Sequence, residues 1–184
     1  MEIVMPVTLE SIPSGPLGWK STSFSQWSPF TAMSTANNLE DWSGLYVSSS
    51  KELAEAYGSD YVDQISGNGS AFIHEVHLTK SLKVVRCTDA VMGSPSVQGS
   101  IKAAHIRANL PDQIKNSLRG GPLMHSLGKL GYVLKCFHDE ECNVEIIIPN
   151  NLSSLLIFLG TREMRFRNFE QIRREPGSEI PQAY

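Results

Sequence analysis

Asp41-Trp42-Ser43-Gly44-Leu45-Tyr46-Val47-Ser48-Ser49-Ser50-Lys51-Glu52-Leu53-Ala54-Glu55-Ala56-Tyr57 is the stretch on which the reading of this chain turns. Leu45, Tyr46 and Val47 form a short β-rich run entered through Gly44. The serines at 48–50 suit a helix N-cap, and Glu52 falls in the first turn that follows, where its charge favours the open backbone N–H groups. On that helix Leu53, Ala56 and Tyr57 fall at i, i+3 and i+4 and share one face. Tyr57 then projects near the end of the strand that holds Tyr46. Two tyrosines so placed can bracket a flat ring, or can be ordinary half-buried aromatics; spacing fits both.

The 184 residues suffice for one well-packed domain and are short for two. With 41% hydrophobic and 19% charged residues the composition is that of an ordinary globular protein. A formal charge of −3 gives no general electrostatic reason to bind nucleic acid or an anionic membrane. All eight arginines lie at or after Arg86. Arg162, Arg165, Arg167, Arg173 and Arg174 make a basic cluster that reads as a solvated strand and tail. Cys87, Cys136 and Cys142 are odd in number and match no zinc spacing. Free thiols in a reducing compartment follow, with a Cys136–Cys142 bridge as the minority alternative. No apolar run approaches the ~18 residues of a membrane span, and no basic start precedes an apolar block, so neither a transmembrane helix nor a secretory signal peptide is expected.

One domain over residues 1–184 is expected, with 1–16 an extended lead-in holding one strand and 175–184 a tail. Ser66-Gly67-Asn68-Gly69-Ser70 is a turn. Residues 72–78 and 82–86 are strand candidates by composition. Residues 97–108 and 112–118 read as helices, Gly120-Gly121-Pro122 breaks the chain, and 123–132 reads as a further short helix. Val144–Ile148 is a buried strand stopped by Pro149. Residues 153–159 and 162–169 finish the domain, the latter alternating like a half-exposed strand. His105 and His125 have no partner at ligand spacing, and no metal is expected. Strands and helices mix without regular βαβ alternation, which favours an α+β fold with a largely antiparallel core.

Four pieces, in order, resemble the ADP-ribosyltransferase superfamily of the diphtheria-toxin and poly(ADP-ribose) polymerase type. Gly44-Leu45-Tyr46 and the helix to Tyr57 resemble its Gly-aromatic-Tyr strand and following helix, where nicotinamide lies between two tyrosines. Gly18-Trp19-Lys20-Ser21-Thr22-Ser23 resembles its aromatic-His-Gly-Thr/Ser strand. Ala71-Phe72-Ile73-His74-Glu75-Val76-His77-Leu78 is similar to the strand after the second Tyr, and Asn143-Val144-Glu145-Ile146-Ile147-Ile148-Pro149 to the catalytic-glutamate strand. The resemblance implies two small, mainly antiparallel sheets that form an NAD cleft flanked by helices. It also implies a bacterial toxin or injected effector, acting in a host cytoplasm on a host protein.

On that resemblance Glu145 inherits the catalytic role. NAD already carries a cationic leaving group, so a carboxylate beside the ribose stabilises the oxocarbenium ion that forms, most strongly where polarity is low. Tyr46 and Tyr57 would hold the cationic ring. Lys20, Ser21, Thr22 and Ser48 complete the NAD-binding set. Lys20 stands where the family has His, and Ser21 where it has a Gly that meets the nicotinamide amide. The triplet at 48–50 also resembles the Ser-Thr-Ser of the arginine-bearing toxin branch. That branch needs an early Arg, absent here, and Glu or Gln where Asn143 stands. Asp139, Glu140 and Asn143 fall where the family contacts its acceptor. NAD-dependent mono-ADP-ribosylation is the expectation, with an NAD glycohydrolase or an inactive binding module on the same fold as alternatives.

Overall fold

The computed structural model describes residues 7–22, 25, 41–65, 70–87, 99–137 and 144–165. Among these, eight strands form one sheet: β1 (Val7–Ile12), β2 (Gly15–Thr22), β3 (Leu45–Ser48), β4 (Ser70–Leu78), β5 (Leu82–Cys87), β6 (Tyr132–Phe137), β7 (Val144–Ile148) and β8 (Leu156–Arg165). The helices are α1 (Lys51–Ile65), α2 (Gly99–Asn109), α3 (Asp112–Lys115) and α4 (Leu123–Lys129), and a 3-10 segment, Asn150–Leu155, leads into β8. No helix among the described residues is long and apolar enough to cross a membrane. The strand order is β1-β5-β6-β7-β3-β2-β4-β8, antiparallel throughout except between β5 and β6. The α+β class and the largely antiparallel core are as expected.

The two separate sheets are not. Hydrogen bonding runs through all eight strands, but β2 and β3 meet at one registered pair, Trp19 with Ser48. The sheet is therefore two arms, of five strands and three, joined at a narrow seam. Gly18 makes the seam possible: a Cβ there would overlap the Ser48 carbonyl oxygen, so only glycine lets β2 come this close. A register shift between Pro16 and Gly18 bends β2 at the same point.

Beyond the seam the arms fold over one core. Leu17, Val76, Leu78 and Leu156 of the short arm cluster with Leu45, Val47, Val84, Val133, Ile146 and Ile148 of the long arm. The other face of the long arm is covered by helices, with Ile106, Ile114, Leu123, Met124 and Leu127 packed over Val85, Leu134 and Ile147. β7 lies between both cores, and all five of its residues are buried. That explains why four of its five residues are apolar, Glu145 being the exception. Asp41 anchors the chain ahead of β3. Its carboxylate accepts the Leu123 N–H at 2.7 Å and its carbonyl the Met124 N–H at 3.0 Å, at the electropositive start of α4.

α1 starts as expected: the Ser50 hydroxyl accepts the Leu53 N–H at 3.0 Å and caps it. Its buried stripe differs from the expected Leu53–Ala56–Tyr57 face. Ala54 and Gly58 are buried, whereas Ala56 and Tyr57 are exposed. A Cβ on Gly58 would lie 3.1 Å from Ala71 Cβ and 3.3 Å from Ser21 Cβ, so small residues set how close the helix can lie on β2 and β4. The one strand expected in the lead-in is residues 7–12, an edge strand paired with β5 over its whole length, because their alternating apolar side chains complete the core. One further expectation needs correction. The helix from Leu123 ends at Lys129, since Gly131 takes a left-handed φ of +78°. Cys136 and Phe137 end β6, a central strand.

Gly18→Ala is expected to destabilise the protein by about 1–3 kcal/mol, the usual cost of overfilling a packed site. Urea unfolding of the two proteins, compared at equal m-value, checks this.

Candidate functional site

Cys87, Cys136, Glu145, Ser48 and Trp19 are successive register partners on β5, β6, β7, β3 and β2. Residues opposite one another in a sheet share a face. Two thiols, a carboxylate, a hydroxyl and an indole thus form one row that ends at the seam. Glu145 is 8% exposed. Its face is the helix-covered one, as Ile147 two residues on packs into that core. Burying a carboxylate without compensation is costly, so the groups around it matter.

Three serines divide the labour beside it. Ser48 is buried and faces Glu145 across the β3–β7 ladder. Ser49 extends that ladder: its N–H donates to the Val144 carbonyl at 2.8 Å and its hydroxyl accepts the Val144 N–H at 3.2 Å. Ser50 caps α1. Tyr46, two residues before Ser48, lies on the same face. Its ring packs against the helical core and its hydroxyl donates to the Trp42 carbonyl at 2.8 Å.

Lys20 follows Trp19 on β2. Burial lowers its pKa from the usual 10.5, and the charge of Glu145 works against that fall. A cation and the carboxylate are therefore electrostatic neighbours across the seam. Lys102 on α2 adds a second positive charge nearby. Burial raises the Cys136 thiol well above 9.0, Cys87 and Glu145 raise it further, and Lys102 opposes them. Cys87 is pushed up to about 12 by burial. Both cysteines are free and buried, as inert structural thiols are.

The structure thus gathers Glu145, Ser48 and Tyr46 on one face of β3 and β7, with Lys20 of β2 coupled to Glu145 by charge across the seam. The other expected residues lie around them. Ser21 is turned toward Gly58 of α1, which explains a small residue there. Tyr57 stands on α1 at 41% exposure. Thr22 is within 2.8 Å of His74 Nε2. Asp139, Glu140, Asn143 and Cys142 lie outside the described residues, as does Arg167 and all that follows it. Arg162 is exposed on β8. His125 lines a pocket with Ser43, Asn150 and Asn151, at the far end of β3 and β7 from Glu145. Lys102 and His74 were not among the expected site residues. For His74 the pattern was available: it alternates with Phe72, Val76 and Leu78, the inward side of its strand.

No protein-family model matches the sequence, and no curated protein matches it. Among solved structures, the crystal structure of the M. tuberculosis MbcT-MbcA toxin-antitoxin complex matches at 10% identity and a TM-score of 0.48, over 82% of this chain and 87% of the matched one. The functional reading rests on the site's own residues.

Two outcomes are expected. Between its lowered folded pKa and 10.5, Lys20 holds fewer protons in the folded protein than in the unfolded chain, so stability rises with pH across that window. The cost of the buried charge is present in full below the folded pKa. Lys20→Met is therefore expected to be more stable than wild type at pH 7, with the gap closing toward pH 10.5 in unfolding titrations. Cys87 and Cys136 are expected to resist iodoacetamide at pH 8 in the folded protein and to react once it is unfolded, read by intact mass.

Proposed function

We propose that this chain is an NAD-dependent mono-ADP-ribosyltransferase that modifies a host protein, as a bacterial toxin or injected effector does. The observation that carries the reading is the register pairing of Ser48 with Glu145, with Tyr46 on the same face and Lys20 coupled electrostatically to Glu145. Those four positions come from three separate parts of the sequence, and the family that the sequence resembles places their counterparts around one dinucleotide.

NAD is the substrate. The bond between nicotinamide and ribose breaks with its electron pair leaving on nicotinamide, which becomes neutral. Glu145 accepts a hydrogen bond from the ribose 2′-hydroxyl and stabilises the positive charge that grows on the sugar. Its apolar surroundings strengthen that attraction, and the fixed strand spares reorganisation. Tyr46, from β3, and exposed Tyr57, from α1, would flank the nicotinamide ring. Lys20 would give a charge-assisted hydrogen bond to the adenine-side ribose or the pyrophosphate. The acceptor nucleophile then bonds the ribose and releases its proton. Asp139, Glu140 and Asn143 would meet a basic acceptor surface.

Glu145→Gln keeps the shape and the hydrogen bonding while removing the charge. It is expected to lower turnover of NAD by about 10²–10³-fold, with NAD affinity little changed. Mass spectrometry of host lysate incubated with the protein and labelled NAD should show ADP-ribose on a protein. Nicotinamide release with no labelled acceptor would identify a glycohydrolase instead. A wild-type protein that neither binds nor consumes NAD would be a binding module.

A further inference from the structure

His74 is 1% exposed in the middle of β4. A buried imidazole is tolerated when both nitrogens are bonded, and here they are. Nε2 lies 2.8 Å from Thr22 Oγ1 on β2, and Nδ1 lies 3.0 Å from Thr161 Oγ1 on β8. The ring meets Phe158 edge-on, with centroids 6.2 Å apart. An apolar side chain would fill this core with less risk, so the polar tie across three strands calls for a reason.

Its position supplies one. His74 is the register partner of Lys20, and Thr22, two residues on, shares the face of Lys20. The β8 strand is shaped to serve the tie. A register shift falls between His74 and Glu75, and Gly160 opposite takes a left-handed φ of +68°, which brings Thr161 to His74. Bulges of this kind re-aim a side chain. Thr22 is thus held at the end of β2 by a rigid neighbour, while β2 itself is tied to β3 at the Trp19–Ser48 pair alone.

We propose that His74 is a positioning residue, which holds the Thr22 hydroxyl beside Lys20 in the orientation that the adenine-side ribose and pyrophosphate of a dinucleotide require. The inference rests on the NAD reading above. Thr22 makes the contact; His74 acts through it and through the β2 backbone, and β8 contributes Thr161 as the outer anchor.

Conservative variants separate positioning from packing. His74→Gln can place an amide where Nε2 sits and keep the bond to Thr22. His74→Asn places it where Nδ1 sits and keeps only the bond to Thr161. The expected result is a KM for NAD within about twofold of wild type for His74→Gln, and raised roughly fivefold to tenfold for His74→Asn, with kcat little changed in both. Thr22→Val should raise KM by a similar factor, and combining it with His74→Asn should add little, because both remove one contact. In wild type, NAD should also shift the ¹⁵N resonance of His74 Nε2, a measurement that survives if a variant fails to fold. Equal KM values for the Gln and Asn variants, or an unmoved Nε2 resonance at saturating NAD, would overturn the proposal while leaving the transferase reading intact. Absence of NAD binding to wild type in calorimetry would overturn both.

Discussion

Among the described residues, Trp19 and Ser48 form the one registered pair that joins β2, β4 and β8 to the other five strands. The candidate site depends on that pair, because it sets Lys20 on one arm near Glu145 on the other. It exists because Gly18 lacks a side chain and lets the two backbones approach. The arms then close over a shared apolar core that neither could bury alone. A narrow seam with a large core behind it holds the arms together and still leaves polar groups gathered at the seam.

Glu145 shows how the two demands meet in one strand. Alternation sends Val144, Ile146 and Ile148 into the core between the arms, and sends Glu145 and Ile147 to the helical side. A carboxylate among thiols and aliphatic side chains is poorly solvated, and an isolated buried charge is among the costliest features a fold can carry. The charge of Lys20 lies near enough to offset part of that cost. The same low polarity is what an electrostatic catalyst uses, since the field of a buried carboxylate is screened little by water. Such groups are retained where function repays their burden on stability.

Much of this was legible from local pattern. β7 runs over Val144–Ile148 as its apolar run and Pro149 indicated, and Ser50 caps α1 as its place before Glu52 indicated. Other features depend on distant partners. β6 is not legible in the pattern because Tyr132-Val133-Leu134-Lys135-Cys136-Phe137 follows a helix closely, with only Leu130 and the left-handed Gly131 between them. The stripe on α1 was misplaced because its contact is made by Gly58, which periodicity of apolar residues cannot mark. The two-sheet expectation failed at one bridge, a level of detail that no pattern encodes. Ser21 faces α1, where its side chain lies against Gly58.

The central claim is that the seam between the arms is where a dinucleotide is held and cut. A crystal structure with a non-cleavable NAD analogue tests it most directly. The account predicts the ribose 2′-hydroxyl within hydrogen-bond distance of the Glu145 carboxylate, the nicotinamide ring against Tyr46 and Tyr57, and the Lys20 ammonium on the adenine side. An analogue seated instead at Ser43, His125 and Asn150, with Glu145 out of reach, would contradict it.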